Sequence, residues 1–208
     1  MAKKKKQTDP MHERFPHLER VFSSDRFLRK QGLGNEVPFF ICPFDPKDAV
    51  PMHKTRQALV KSLGGKGVEI LDINLYDLAV ELLKARGIWE QVIDVEPTVS
   101  KAELKELLQG VLDPEAHIVP AIAQKMAEKA QDTQFHVLFL SGIGEVFPYI
   151  RSHNVLNNLQ STAKDQPTVL FFPGEYEQSA EFGASLNLFK LLEDDKYYRA
   201  FNIYDYEI

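Results

Sequence analysis

Residues 38–73 read PFFICPFDPKDAVPMHKTRQALVKSLGGKGVEILDI, and this stretch decides the fold class. It contains an apolar run at 38–42, helical spacing of apolar residues at 52–63 and an alternating, β-branched run at 68–73. The pair Gly64-Gly65 marks the point where the helix ends. A strand, a helix and a second strand in this order predict the parallel βαβ unit of an α/β protein.

The rest of the chain continues the alternation of strands and helices. Three more apolar runs have the length of a strand: 136–140, 168–172 and 199–204. Helical spacing recurs at 15–30, 76–86, 117–130 and 149–159. Residues 92–135 contain no strand pattern, and we interpret them as a helical insertion or lid between two halves of the sheet, with a capping box at Ser100 and Glu103. The predicted fold class is α/β with three layers, a mainly parallel sheet of about five strands with helices on both faces.

Composition and charge restrict the function. The 208 residues and the hydrophobic fraction of 44% suit a single α/β domain, predicted at 15–208, behind a disordered basic and polar N-terminal tail at 1–14. The net charge of −5 disfavours a general nucleic-acid interface, which requires a basic face. Because no apolar run reaches the ~18 residues of a membrane span and no secretory signal is apparent, a cytoplasmic location is expected.

The loop after the first strand is the place where a nucleotide hydrolase would carry its phosphate loop. A phosphate loop needs glycines whose backbone N–H groups converge on the anion, followed by Lys and then Ser or Thr. Residues 43–48 read PFDPKD, with no glycine, two prolines that lack an N–H group and two carboxylates that repel phosphate. The strand at 136–140, which would supply a magnesium-binding acid, is followed instead by Ser141-Gly142. ATP hydrolysis is therefore not predicted.

Other catalytic patterns are incomplete as well. Gly142-Ile143-Gly144 follows a strand but lacks the third glycine of a dinucleotide site. Ser141 lacks the preceding glycine of a nucleophile elbow, and His153 is interpreted as a structural or interface group on a helix surface. Cys42, the single cysteine, lies in an apolar run and is interpreted as a buried, inert thiol. The sequence predicts a protein that is not an enzyme and that uses no cofactor and no metal.

Candidate binding residues cluster in loops after the predicted strands, because ligands of open α/β sheets bind at the carboxyl ends of the strands. Asn74 or Asp77 can alternatively cap a helix, and Pro173-Gly174 is a turn signal. Arg151 offers a planar fork to a carboxylate or phosphate, and the C-terminal tyrosines suit either an interface or the core. The candidates are Asp45, Lys47, Asn74, Tyr76, Asp77, Pro148, Arg151, His153, Asn157, Gly174, Tyr176, Tyr197, Tyr198 and Arg199.

Several motifs in a fixed order are more specific than any single pattern above. They are NEVPFF (35–40) with DPK (45–47), INLYDL (73–78), Gly144 with FPYIRSH (147–153), LNNL (156–159), FFPGEY (171–176) and YYRAF (197–201). Together they resemble the BrxB family, a small component of bacterial BREX phage-defence systems. The resemblance covers nearly the whole chain from about residue 20.

The resemblance implies a small protein required for phage defence, without an established activity. Together with the absence of a complete catalytic pattern, it leads us to expect an adaptor or scaffold that acts by protein–protein interaction. BREX systems combine a methyltransferase, the alkaline-phosphatase-like protein PglZ and the large ATPase BrxC. The implied partners are these proteins, with PglZ first and BrxC or the methyltransferase after it. The implied fold is a degenerate P-loop NTPase-like core, a nucleotide-hydrolase core that has lost its phosphate loop.

Two other classes of function stay open. One is a nucleotide- or metal-dependent enzyme or sensor with a non-standard site at the carboxyl ends of the strands. Its residues would be Asp45, Lys47, Asn74, Asp77, Arg151 and Glu175. The other is a DNA-contacting module, which the acidic total charge disfavours. Its residues would be Lys3 to Lys6, Arg26, Arg29 and Lys30.

Overall fold

The structure is a computed structural model that describes residues 11–31, 38–179, 183–194 and 200–208. The strands are β1 (Phe39–Phe44), β2 (Ile70–Asn74), β3 (Val137–Ser141), β4 (Thr168–Ser179), β5 (Gly183–Leu188), β6 (Leu192–Asp194) and β7 (Phe201–Asn202). The helices are α1 (Met11–Ser23), α2 (Asp25–Leu28), α3 (Ala49–Gly65), α4 (Leu75–Ala85), α5 (Trp89–Val95), α6 (Lys101–Val111), α7 (Val119–Asp132), α8 (Ile143–Val146) and α9 (Ser152–Leu159). Short 3₁₀ turns lie at Pro46–Asp48, Glu96–Thr98 and Ile203–Asp205, and a π turn lies at Pro114–Ile118.

Five strands form one parallel sheet in the order β2-β3-β4-β1-β7. The central strands β1 and β4 pair from Phe39 opposite Thr168 to Phe44 opposite Pro173. Every residue of β1 and of β3 is buried, which is typical of strands covered on both faces. The prediction of a mainly parallel sheet of about five strands is confirmed.

Two apolar clusters cover the two faces of the sheet, because successive strand side chains point to opposite sides. On one face, β-strand residues such as Ile41 and Leu140 pack against α4, α6, α7, α8 and α9. On the other face, Phe40 and Phe139 pack against α1, α2 and α3. The three-layer arrangement is therefore confirmed, with helices on both sides.

Strand β4 differs from the prediction, which ended it at residue 172 and assigned a turn to Pro173-Gly174. The strand instead continues through Gly174 and pairs antiparallel with β5, which pairs in turn with β6. A Cβ at Gly174 would overlap the carbonyl oxygen of Asn187 on β5. The glycine is needed because two strands approach closely there, and the turn prediction is wrong.

The helical segment at 92–135 lies in the connection between β2 and β3, which are neighbours in the sheet. Ser100 and Glu103 form the expected capping box at the start of α6. Leu108, Leu112 and Ile122 are buried in the main core cluster. Because β2 and β3 pair directly, these helices form an enlarged crossover on one face and do not separate two halves of the sheet.

Both ends of the described chain pack on the same face of the sheet. Helix α1 begins at Met11, so residues 11–14 are helical and do not belong to the predicted tail, and residues 1–10 lie outside the described residues. The Arg14 guanidinium lies 5.7 Å from the ring centre of Tyr204, and His17 stacks on the same ring at 5.9 Å. Of the last predicted strand, 199–204, residue 199 lies outside the described residues, Phe201–Asn202 pairs with β1 at the sheet edge, and a 3₁₀ turn follows at Ile203–Asp205.

No helix in the described ranges combines the length and the apolar character needed to cross a membrane.

Candidate functional site

The carboxyl ends of β1 to β4 surround a cleft of about 200 Å³. Its apolar lining includes Phe44, Ala49, Met52, Phe171, Pro173 and Phe189. Its polar lining includes His53, Arg56, Asn74, Ser141 and Glu145. The cleft lies where open α/β sheets bind their ligands, so the predicted location of a functional surface coincides with a cavity in the fold.

At the end of β1, both carboxylate oxygens of Asp45 accept hydrogen bonds from groups of this chain. Its carboxylate caps the 3₁₀ turn by accepting a hydrogen bond from the Lys47 N–H at 3.2 Å, and the Lys190 Nζ lies 2.9 Å from its second oxygen. The hydrogen bond from Lys190 is the main reason that the pKa of Asp45 lies below its usual range. Lys190 also lies 3.7 Å from Glu175. Lys190 therefore bridges the carboxylates of Asp45, which follows β1, and of Glu175, which lies in β4.

Asn74 at the end of β2 is the N-cap of α4. Its Oδ1 accepts hydrogen bonds from the N–H groups of Tyr76 at 2.8 Å and of Asp77 at 3.3 Å. The Tyr76 side chain is 49% exposed, and Asp77 is exposed as well. The capping alternative is therefore confirmed for Asn74, whose amide nitrogen is the group left to donate to a ligand.

The end of β3 carries a buried hydroxyl. Ser141 is 7% exposed and lines the cleft, and its Oγ has no hydrogen-bond partner in the described part of the chain. Gly142 follows with a φ of +79°, and a Cβ there would overlap the Asn74 side chain. The two strand ends are thus in close contact, and a buried hydroxyl without a partner costs free energy unless a ligand or water supplies one.

The tip of the β5–β6 hairpin forms the remaining wall, and the sequence interpretation did not identify it. The Phe189 N–H donates to the Pro173 carbonyl at 2.8 Å, and a Cβ on Gly144 would lie 2.9 Å from the Phe189 ring. Phe189 and Lys190 have φ angles of +56° and +61°. Positive φ is strained for residues other than glycine, and hairpin turns of this kind usually contain Gly, Asn or Asp. Phe and Lys at these positions therefore do not indicate a turn in the sequence.

A second group that the sequence interpretation missed includes two residues of the cleft lining, His53 and Arg56. The buried Arg56 of α3 forms an ion pair with Asp72 of β2, and its Nη2 lies 3.3 Å from the Nδ1 of His53. Burial raises the pKa of Asp72, although Arg56 acts in the opposite direction. The spacing of His53 and Arg56 places both on one side of the helix, but only the fold brings Asp72 to them.

The other predicted residues do not line this cleft. Pro148 follows a cis peptide bond, and its carbonyl accepts a hydrogen bond from Gln109 at 2.9 Å. His153 is 9% exposed, so its assignment to a helix surface is wrong, whereas Asn157 is exposed. Arg151 precedes α9 and is half-buried. These residues belong to a different part of the fold from Asn74 and Ser141.

Tyr176 and Gly174 have structural roles. The Tyr176 hydroxyl donates to the Ala200 carbonyl at 2.6 Å, and the residue is 4% exposed, which selects the core alternative for this tyrosine. Gly174 lies inside the β4–β5 pairing. Tyr197, Tyr198 and Arg199 lie outside the described residues.

The residues of the two alternative functions are only partly brought together. Of the six proposed for an enzyme or sensor, Asn74 lines the cleft, and the other five do not: Asp45, Lys47, Asp77, Arg151 and Glu175. No group of three or more His, Cys, Asp or Glu side chains that could hold a metal occurs among the described residues. Of the residues proposed for DNA contact, Lys30 donates to the Lys164 carbonyl at 3.0 Å and Arg29 lies 3.7 Å from Asp25. Lys3 to Lys6 lie outside the described residues.

Comparison with known proteins places the chain in a family. The family model described as BREX protein BrxB matches residues 71–203. A BREX protein BrxB of Bacillus cereus (strain H3081.97) is 31% identical over 94% of this chain and 98% of its own length. A second BREX protein BrxB, from Escherichia coli O9:H4 (strain HS), is 29% identical over 94% of this chain and 92% of its own length. No solved structure matches the chain significantly. The resemblance seen in the sequence is confirmed, and the chain belongs to the BrxB family.

Proposed function

We propose that this chain is a non-catalytic adaptor or scaffold of a BREX anti-phage complex, acting in the cytoplasm through contacts with other BREX proteins. Family membership makes the chain a component of a BREX system. PglZ is the first candidate partner, and BrxC and the methyltransferase follow.

The observation that carries the proposal is the loop after β1. In a P-loop protein, the phosphate loop joins a strand to the N-terminus of the next helix, the position that Asp45–Asp48 takes between β1 and α3. Pro46 has no N–H group to offer, and the Asp45 carboxylate would repel a phosphate. Lys190, a cation that could have bound an anionic ligand, is paired with Asp45 instead. These features support a degenerate P-loop NTPase-like core that binds and does not hydrolyse.

A tagged copy of the full-length chain, co-expressed with its BREX neighbours, tests the adaptor role. We expect PglZ, BrxC or the methyltransferase to be retained on the affinity resin and to elute with the chain in one size-exclusion peak. Unaccompanied elution from a strain that resists phage would contradict the proposal.

A hydrolysis assay on the same preparation tests the absence of catalysis. ATP turnover by the purified chain that disappears in Asp45→Ala or Lys47→Ala, but persists in Lys54→Ala, would show that the chain is an enzyme. Lys54 is a suitable control because it is an exposed lysine of α3, outside the loop at 45–48.

A further inference from the structure

The size of the cleft limits what it can hold. Its volume of about 200 Å³ is below the ~300 Å³ at which pockets for drug-sized ligands begin. A closed apolar cavity of ~150 Å³ holds one benzene ring. The cleft therefore has room for one aromatic ring with a small substituent.

The lining of the cleft combines apolar side chains with a few polar groups. Phe44, Met52, Phe171 and Phe189 give it apolar and aromatic walls, which favour a ring through burial and edge-to-face contacts. Ser141 supplies a hydroxyl that is buried without a partner among the described residues. The side-chain oxygen of Asn74 already caps α4, which leaves its NH₂ group for a ligand. This group can donate hydrogen bonds but cannot accept them. A ring that carries a hydroxyl would suit these two polar groups, because a hydroxyl both donates and accepts.

The mouth of the cleft is compatible with insertion from a partner surface. Ala49 and His53, on the first turns of α3, line the cleft and are exposed. Val50, next to Ala49 in the same helix, is 67% exposed, and Leu191, two residues after the cleft residue Phe189, is 84% exposed. Exposed apolar side chains beside a pocket resemble the surroundings of an interface anchor, which is often Tyr or Trp in a desolvated pocket.

We propose that the cleft binds one tyrosine side chain presented by a BREX partner protein. This inference rests on the adaptor function proposed above and gives it a location. The tyrosine ring would lie between Phe44, Phe171 and Phe189, and its hydroxyl would accept from Asn74 and bond to Ser141.

The purified chain can be tested with p-cresol, the side-chain analogue of tyrosine, and with toluene, the analogue of phenylalanine. In amide NMR spectra, p-cresol should shift Gly142, Gly144 and Phe189 and bind about fivefold tighter than toluene, the effect of one net hydrogen bond. Ser141→Ala should remove most of this preference. Absence of shifts up to about 10 mM p-cresol, or tighter binding of adenosine or guanosine at the same amides, would overturn the proposal.

The partner complex provides a second test with matched variants. Ala49→Trp fills the mouth of the cleft and should weaken the complex at least about tenfold, whereas Ala58→Trp, at an exposed alanine of the same helix outside the lining, should have little effect. Circular dichroism of both variants controls for folding. If wild type and Ala49→Trp bind the partner equally, the tyrosine site is refuted and the adaptor role stands. If the wild type binds none of the BREX proteins, the adaptor role itself is refuted.

Discussion

Cys42 is surrounded by its own fold. The residue is 0% exposed, and its Sγ lies 3.6 Å from the Tyr204 hydroxyl. Burial raises the pKa of the thiol to about 12, against an ordinary value of 9.0, and the bond with Tyr204 offsets only part of this effect. Because the folded pKa is raised, the thiol stays protonated at pH 8 to 9, where a free cysteine already forms thiolate.

We therefore expect native protein to resist alkylation by iodoacetamide at about pH 8.5, because the nucleophilic thiolate is absent and the sulfur is inaccessible. The same protein in guanidinium chloride should be labelled once per chain, as measured by mass spectrometry. Labelling of the native protein at the rate of the unfolded one would show that Cys42 is accessible.

The individual residues that the sequence predicted correctly depend on local relations. A helix pattern directly after a strand predicts a cap at Asn74, and the apolar neighbours of Cys42 along the chain predict that its thiol is buried; the structure shows both. The structural roles of Tyr176 and Arg56 cannot be predicted from their neighbours along the chain. Their partners, the Ala200 carbonyl and Asp72, are separated from them by 24 and 16 residues. Only the completed fold brings such pairs together.

At the scale of elements, the antiparallel extension of β4 gives the site its outer wall. The parallel strands could be predicted because sheets covered on both faces produce continuous apolar runs. The hairpin could not, because Phe189 and Lys190 adopt positive φ without being Gly, Asn or Asp. Two such residues cost of order 1–3 kcal/mol each, which the packing of Phe189 on Pro173 and Gly144 and the ion pair of Lys190 with Asp45 must offset.

We expect Gly174→Ala to destabilise the chain by about 2–3 kcal/mol, because the new Cβ meets the backbone of Asn187 and the two strands must move apart. Gly110→Ala is the matched control. Gly110 lies inside α6 with nothing near its missing Cβ, so this change should stabilise the chain by about 0.5–1 kcal/mol. Urea denaturation measures both. Equal stability of the two variants would mean that the β4–β5 pairing is looser than described.

At the scale of the whole molecule, Tyr204 and Tyr206 near the C-terminal end contact both the N-terminal helices and the sheet. The Tyr206 hydroxyl lies 2.8 Å from the Gln31 carbonyl and 3.1 Å from the Arg26 carbonyl. Its ring meets Phe27 and Phe40 edge-on, at 5.8 and 5.4 Å between ring centres. Tyr204 repeats the arrangement by contacting Cys42 of β1 and the ring of His17 in α1. This contact of chain ends covers one face of β1, opposite the face that carries α4 and α9.

This arrangement predicts that the outer layer detaches when Tyr206 is truncated. Tyr206→Ala removes a hydrogen bond and two aromatic contacts and should cost about 2–3 kcal/mol. Tyr76→Ala, at a tyrosine that is 49% exposed, should cost less than about 0.5 kcal/mol. Because Cys42 lies beneath the same layer, its alkylation under native conditions should accelerate in Tyr206→Ala and stay slow in Tyr76→Ala. Slow labelling in both variants, with Tyr206→Ala nevertheless destabilised, would show that the layer opens only when the whole domain unfolds.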